Sequence, residues 1–200
     1  MTLVLQSPHG KYTGNRIAMK NWIFLAWMLG FSFTSYAYTN AEHAPKDQAM
    51  SYVIKYSGSK TDEGKEKALD QFDTLISQYP DDIALRELYS DLLIADNRYE
   101  KAITQLKIVY QNTGVPSLKL MECMLTERIK LPHNMCYRDV ISVFEQSNVR
   151  DFNYLLALYL GESPDFEKYK ARWLETHTLS EEQKKLIALQ PRMLVSTYYP

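Results

Sequence analysis

The stretch NRYEKAITQL, Asn97 to Leu106, sets one small residue, Ala102, on a helical face otherwise built from bulky side chains. Bulky residues follow it at fixed offsets: Leu106, Val109 and Tyr110 stand four, seven and eight positions on. Thirty-four residues earlier Ala68 is followed in the same way by Phe72, Leu75 and Ile76. Thirty-four residues later Cys136, also small, is followed by Val140, Val143 and Phe144. On a helix these offsets make a single stripe. A small residue in such a stripe lets a partner helix approach closely, where a larger side chain would hold the two apart.

The flanking sequence agrees with an all-α chain. Prolines stand at 80, 116, 132 and 164, with apolar, helix-favouring segments between them. Proline disrupts a helix interior but suits a first turn or a connector. No long alternating run and no Asn-Gly hairpin turn suggests strands. The pattern predicts helices at 46–57, 62–78, 83–95, 98–112, 116–129, 134–147, 150–160, 165–176 and 180–190. Short connectors between them favour antiparallel neighbours, giving about four hairpins and a terminal helix over 47–190. Residues 38–46 read as a linker and 191–200 as a C-terminal tail, whose end, STYYP, is either the least ordered part or itself a docking peptide.

The 34-residue period and its small-plus-bulky pattern resemble the tetratricopeptide repeat (TPR), a helix–turn–helix unit. Ile83 to Pro116 fits best: Ser90 takes the small position of the first helix, Asn97 the turn position that usually holds glycine, and Tyr99 and Ala102 the aromatic and small positions of the second. Ala68, Phe72 and Pro80 match the second helix and terminal proline of the preceding unit. The third unit keeps the periodicity alone, and the fourth fits in size but not in register. The resemblance implies a TPR-like α-solenoid. It also implies that ligands lie in a concave groove lined by first helices, which places Glu87, Asp91 and Ile94, then Met121, Leu125 and Arg128, in partner contact. Such a groove suits an extended or helical peptide with apolar anchors and a basic group.

In the repeat frame Cys123 sits near the middle of a first helix and Cys136 at the close-packing position of the second. Those faces touch, so the Cα atoms could fall within the roughly 4.4–6.8 Å of a disulfide. Two buried free thiols are the alternative. A metal site using His133, Cys136 and Cys123 lacks a fourth ligand and the tight paired spacing of zinc sites.

The N-terminal segment has its own signature. The first acidic residue is Glu42, preceded by Lys11, Arg16 and Lys20 alone among charged groups. Met19-Lys20-Asn21 opens a twelve-residue apolar run, Trp22 to Phe33, and Ser35-Tyr36-Ala37 supplies the small residues of a cleavage site. This reads as a secretory signal over 1–37, with the start at Met19 and cleavage after Ala37. The run is short of the ~20 apolar residues that span a bilayer. An uncleaved anchor in the inner membrane is the alternative to a periplasmic or secreted chain. Without Lys11, Arg16 and Lys20, 20 of the 23 basic residues remain against all 24 acidic ones, a formal net charge of −4. That balance disfavours nucleic acid as the main partner.

No nucleophile elbow, phosphate-cradling glycine loop or His-Glu-x-x-His pair is present. Asp81-Asp82 and Glu181-Glu182 fall at predicted helix starts, where acids complement the dipole. His43 and His177 lack an adjacent carboxylate or nucleophile. Tyr154, Tyr159, Phe166, Tyr169 and Trp173 form an aromatic cluster, read as core beside the last hairpin or as a docking patch. The expectation is a non-catalytic scaffold with no cofactor and no metal that binds a protein or peptide. By analogy with the family, its setting would be assembly of an envelope, secretion or pilus complex. A small α-helical periplasmic enzyme or inhibitor is the alternative.

Overall fold

A computed structural model describes residues 37–131 and 135–200, with side chains from residue 45 onward. Among them there are ten α-helices and no strand: α1 Ala37–Gly58, α2 Asp62–Gln78, α3 Ile83–Ala95, α4 Tyr99–Thr113, α5 Pro116–Arg128, α6 Cys136–Gln146, α7 Phe152–Leu160, α8 Phe166–Leu174, α9 Glu181–Ala188 and α10 Pro191–Tyr198. The signal-peptide reading and His133 lie outside the described residues.

Local chemistry explains most boundaries. Thr61, Asp82 and Asp151 accept hydrogen bonds from Gly64, Leu85 and Tyr154 backbone N–H groups, capping α2, α3 and α7. Ser180 and Gln183 form a reciprocal capping box at α9. Pro116 and Pro191 open α5 and α10, where a missing N–H costs nothing. Four helices end alike. Asn97, Lys130, Asn148 and Glu162 adopt positive φ values of 47–59° just after α3, α5, α6 and α7. The N–H groups of Arg98, Leu131, Val149 and Ser163 then reach back to the carbonyls of Leu93, Thr126, Phe144 and Leu158. This is the Schellman closure, repeated without glycine. Glycine serves after α4, where Gly114 has φ 66°.

Consecutive helices pack on one another from α1 to α8, and α1 also meets α3 while α5 meets α7. The core runs along these contacts. Ala68 and Ala102 are both buried at 1 % and 0 % exposure, in α2 and α4, beside buried Phe72, Leu75, Ile76, Leu106 and Val109. Ser90 and Tyr99 are buried too. Pro80 is exposed and acts through its carbonyl, which accepts from the Arg86 guanidinium at 2.6 and 2.8 Å across the α2–α3 turn. Ala102→Leu should therefore cost about 1–3 kcal/mol through overpacking. Urea unfolding of the variant checks this; an unchanged midpoint would remove the close-packing role.

A polar clamp joins the first helices. Tyr56 of α1 donates to Asp96 at 2.7 Å, Arg98 Nε donates to the same carboxylate at 2.7 Å, and Arg98 also pairs with Glu66 of α2. Burial pushes the Asp96 carboxyl up, but the hydrogen bonds from Tyr56 and Arg98 and the Arg98 charge outweigh it and hold its pKa below the ordinary value.

Two segments differ from the sequence reading. The linker over 38–46 is helical, part of α1, which continues through Pro45. Pro45 cannot donate the usual hydrogen bond, yet Ala41, Glu42 and Ala44 favour helix on its N-terminal side. The tail over 191–200 is not a tail. It forms α10 and buries Leu194 (0 %), Val195 (1 %) and Tyr199 (7 %), so the packed domain extends past 190.

Candidate functional site

The residues assigned to partner contact lie on α3 and α5, and α10 packs on α5 and α7. Their environments differ. Glu87 and Asp91 are exposed on α3. Ile94 and Met121 are partly buried and packed against the core. Leu125 has no exposed surface, which removes it from the contact set: it is buried in the core, as its neighbours Cys123 and Met124 are. The sequence pattern could not separate these faces because α5 is apolar on several sides.

Arg128 occupies the decisive position. Its Nε donates to the backbone oxygen of Tyr199, and its guanidinium lies 5.9 Å from the centre of the Tyr99 ring. The Tyr99 hydroxyl lies 2.9 Å from the Pro200 backbone oxygen and 2.6 Å from Asn97 Oδ1, and can donate its single proton to one of them at a time. The Tyr99 and Tyr199 rings meet edge to face at 6.0 Å. Arg128 thus sits at the C-terminal end of α10, where unpaired carbonyls and the helix dipole attract a cation. Tyr199 and Pro200 belong to the tail stretch read as a candidate docking peptide, whereas the apolar pair Leu194–Val195 was not among the expected site residues. Their signal in the sequence is a short apolar stripe after Pro191.

Electrostatics mark the α3 side. Desolvation by the surrounding protein, then the neighbouring Glu87 charge, pushes Asp91 up to about 6, although part of its surface still meets solvent. Burial raises the Tyr199 hydroxyl, with smaller contributions from Tyr198, Tyr99 and Asp91. A carboxylate whose folded pKa is raised stabilises the fold fully only below its unfolded pKa, and loses that contribution as pH rises through about 6. Asp91→Asn should therefore raise the thermal midpoint by about 2–4 °C at pH 7.5, after discounting for solvent screening, and by about 1 °C or less at pH 4.5. Scanning calorimetry at both pH values tests it; an equal shift at each would exclude the titration.

Elsewhere the aromatic cluster forms a seam between α7 and α8. Tyr154 meets Tyr169 at 4.8 Å, Tyr159 meets Phe166 at 4.8 Å, and Phe152 meets Trp173 at 6.3 Å. Tyr159 also donates to the Leu189 backbone oxygen, tying α7 to the end of α9. His177 is exposed and stacks on Trp173. Cys123 and Cys136 are bonded, with Cα atoms 5.7 Å apart. No group of three or more His, Cys, Asp or Glu residues could hold a metal among the described residues, and none of their helices is long and apolar enough to cross a membrane. No family model, curated protein or solved structure matches the chain.

Proposed function

We propose that the chain is a non-catalytic, exported scaffold of TPR-like kind, with hairpins stacked as an α-solenoid, that binds a protein or peptide on the face of α3, α5 and α7. The observation that carries this reading is that the α5 and α7 part of that face already holds a polypeptide segment, residues 191–200. It takes apolar side chains of that segment into the core and engages its backbone oxygens through Arg128 and Tyr99. Backbone recognition combined with apolar anchoring is the general way a groove binds a peptide, and stacked hairpins provide extended surfaces for it. The Cys123–Cys136 bond suits an oxidising compartment, and the basic, apolar character of 19–37 suits export to it. The corresponding setting is a periplasm, in assembly of an envelope, secretion or pilus complex.

A photo-activatable crosslinker at position 87 tests the assignment in cells. It should give one discrete adduct, lost in Arg128→Glu, while the same group at Lys107 on exposed α4 surface gives none. Equal adducts from both positions, or an adduct unchanged by Arg128→Glu, would remove the face from consideration.

A further inference from the structure

Building on this binding reading, we propose that α10 is an exchangeable occupant of the α5–α7 face, and that the partner is an amphipathic helix ending in an aromatic residue that replaces it.

Three observations support exchange. First, α10 has eight residues, too few to persist as an isolated helix in water, so it is helical because it is docked. Second, its tether is thinly anchored. Neither α8 nor α9 has a buried residue; the half-buried Phe166, Tyr169, Trp173, Leu186 and Leu189 hold them instead. Release of α10 therefore meets little resistance from α8 and α9, and its cost lies in uncovering Leu194, Val195 and Tyr199. Third, α10 fills its berth incompletely. A cleft of about 550 Å³ opens at its first turn between Pro191, Arg192, Tyr137, Arg138 and Leu160, and Met193 of the same turn is 53 % exposed.

The same contacts define the competing ligand. Leu194 and Val195 are adjacent and Tyr199 follows four to five residues later, so the required face is two aliphatic side chains and an aromatic about one turn on. Arg128 and Tyr99 hold the Tyr199 and Pro200 oxygens, which any polypeptide supplies, so the end of the helix is read by position and not by side chain. A partner helix longer than α10 could also fill the cleft beside Tyr137. Because α10 is covalently attached, its high effective concentration reduces the apparent affinity for any ligand in solution.

The test uses the full chain and a fluorescein-labelled synthetic peptide of residues 189–200, read by fluorescence anisotropy. Leu194→Asp, which undocks α10, should bind the peptide at least tenfold more tightly than wild type, and adding Arg128→Glu should abolish that gain. Equal binding by wild type and Leu194→Asp, or a gain that survives Arg128→Glu, overturns the proposal. Should Leu194→Asp not fold, Tyr199→Ala provides the same comparison with a smaller expected gain of about threefold. Hydrogen exchange of wild type gives a check free of substitutions: amides of 194–199 should exchange at least tenfold faster than those of 102–110, and equal protection overturns exchange. A wild-type dimer lost in Leu194→Asp would identify the occupant as a second copy and overturn the assignment to a different partner. A crosslink from position 87 without peptide binding would leave the binding reading in place and remove the exchange alone.

Discussion

Replacing Phe72 with alanine should lower the unfolding free energy by about 3–5 kcal/mol, a large share of the roughly 5–15 kcal/mol that holds a typical domain together. Phe72 has no exposed surface. Its ring stacks on Tyr89 of α3 at 5.1 Å and 11°, and meets Tyr52 of α1 edge-on at 6.1 Å. One side chain of α2 therefore joins three helices. Alanine loses the transfer free energy of the ring and leaves a cavity that two other aromatic rings are too rigid to fill. Phe72→Leu keeps most of the volume and should cost less, about 1.5 kcal/mol or below. Urea unfolding followed by circular dichroism distinguishes the two. A Phe72→Ala midpoint equal to that of Phe72→Leu would show that the ring is not the joint between these helices.

The second large effect concerns the Cys123–Cys136 bond. The cysteines are 13 positions apart, so their bond closes the α5–α6 connection into a short loop. The loop-entropy model assigns such a loop about 3 kcal/mol, or about 6–12 °C in thermal midpoint for a chain of this size. The bond matters here because it ties down the first turn of α6, whereas the last turn is already closed by the Asn148 backbone. It has eleven residues; Met135 at its start provides no side-chain cap, while the Ser147 hydroxyl at its end donates to the Val143 or Phe144 carbonyl. Cys123 is fully buried and Cys136 half-buried, so reductant should reach the bond from the Cys136 side. Calorimetry with and without reductant measures the effect, and a mass increase of about 2 Da confirms that a disulfide was present and reduced. A Cys123→Ala/Cys136→Ala variant as stable as wild type would show that helix packing alone holds α6 in place.

Much of the helical plan was legible because it is encoded over short distances. Ala68 and Ala102, found by a 34-residue spacing, are buried in α2 and α4. The predicted and observed ends of α2 to α9 differ by at most two residues. Capping side chains lie three residues from the N–H groups they accept from, and prolines open α5 and α10. Asn97 illustrates the same locality. The repeat pattern placed it at a turn position that usually holds glycine, and its backbone is left-handed there. The closure of α5, α6 and α7 by Lys130, Asn148 and Glu162 was less visible, since lysine and glutamate do not announce a left-handed turn.

The amino-acid sequence alone determined that this chain is helical, where most helices begin and end, and which small residues face a neighbour, because helix formation and turn closure depend on groups three to five positions apart. The tertiary structure alone decided that Leu125 is interior, and that residues 191–200 pack on α5 and α7 with Arg128 among their contacts. That placement depends on Arg128 meeting a backbone oxygen 71 positions away and Tyr99 another 101 positions away. A local apolar stripe can favour a helix, but the surface that stabilises α10 exists only once α5 and α7 have packed side by side.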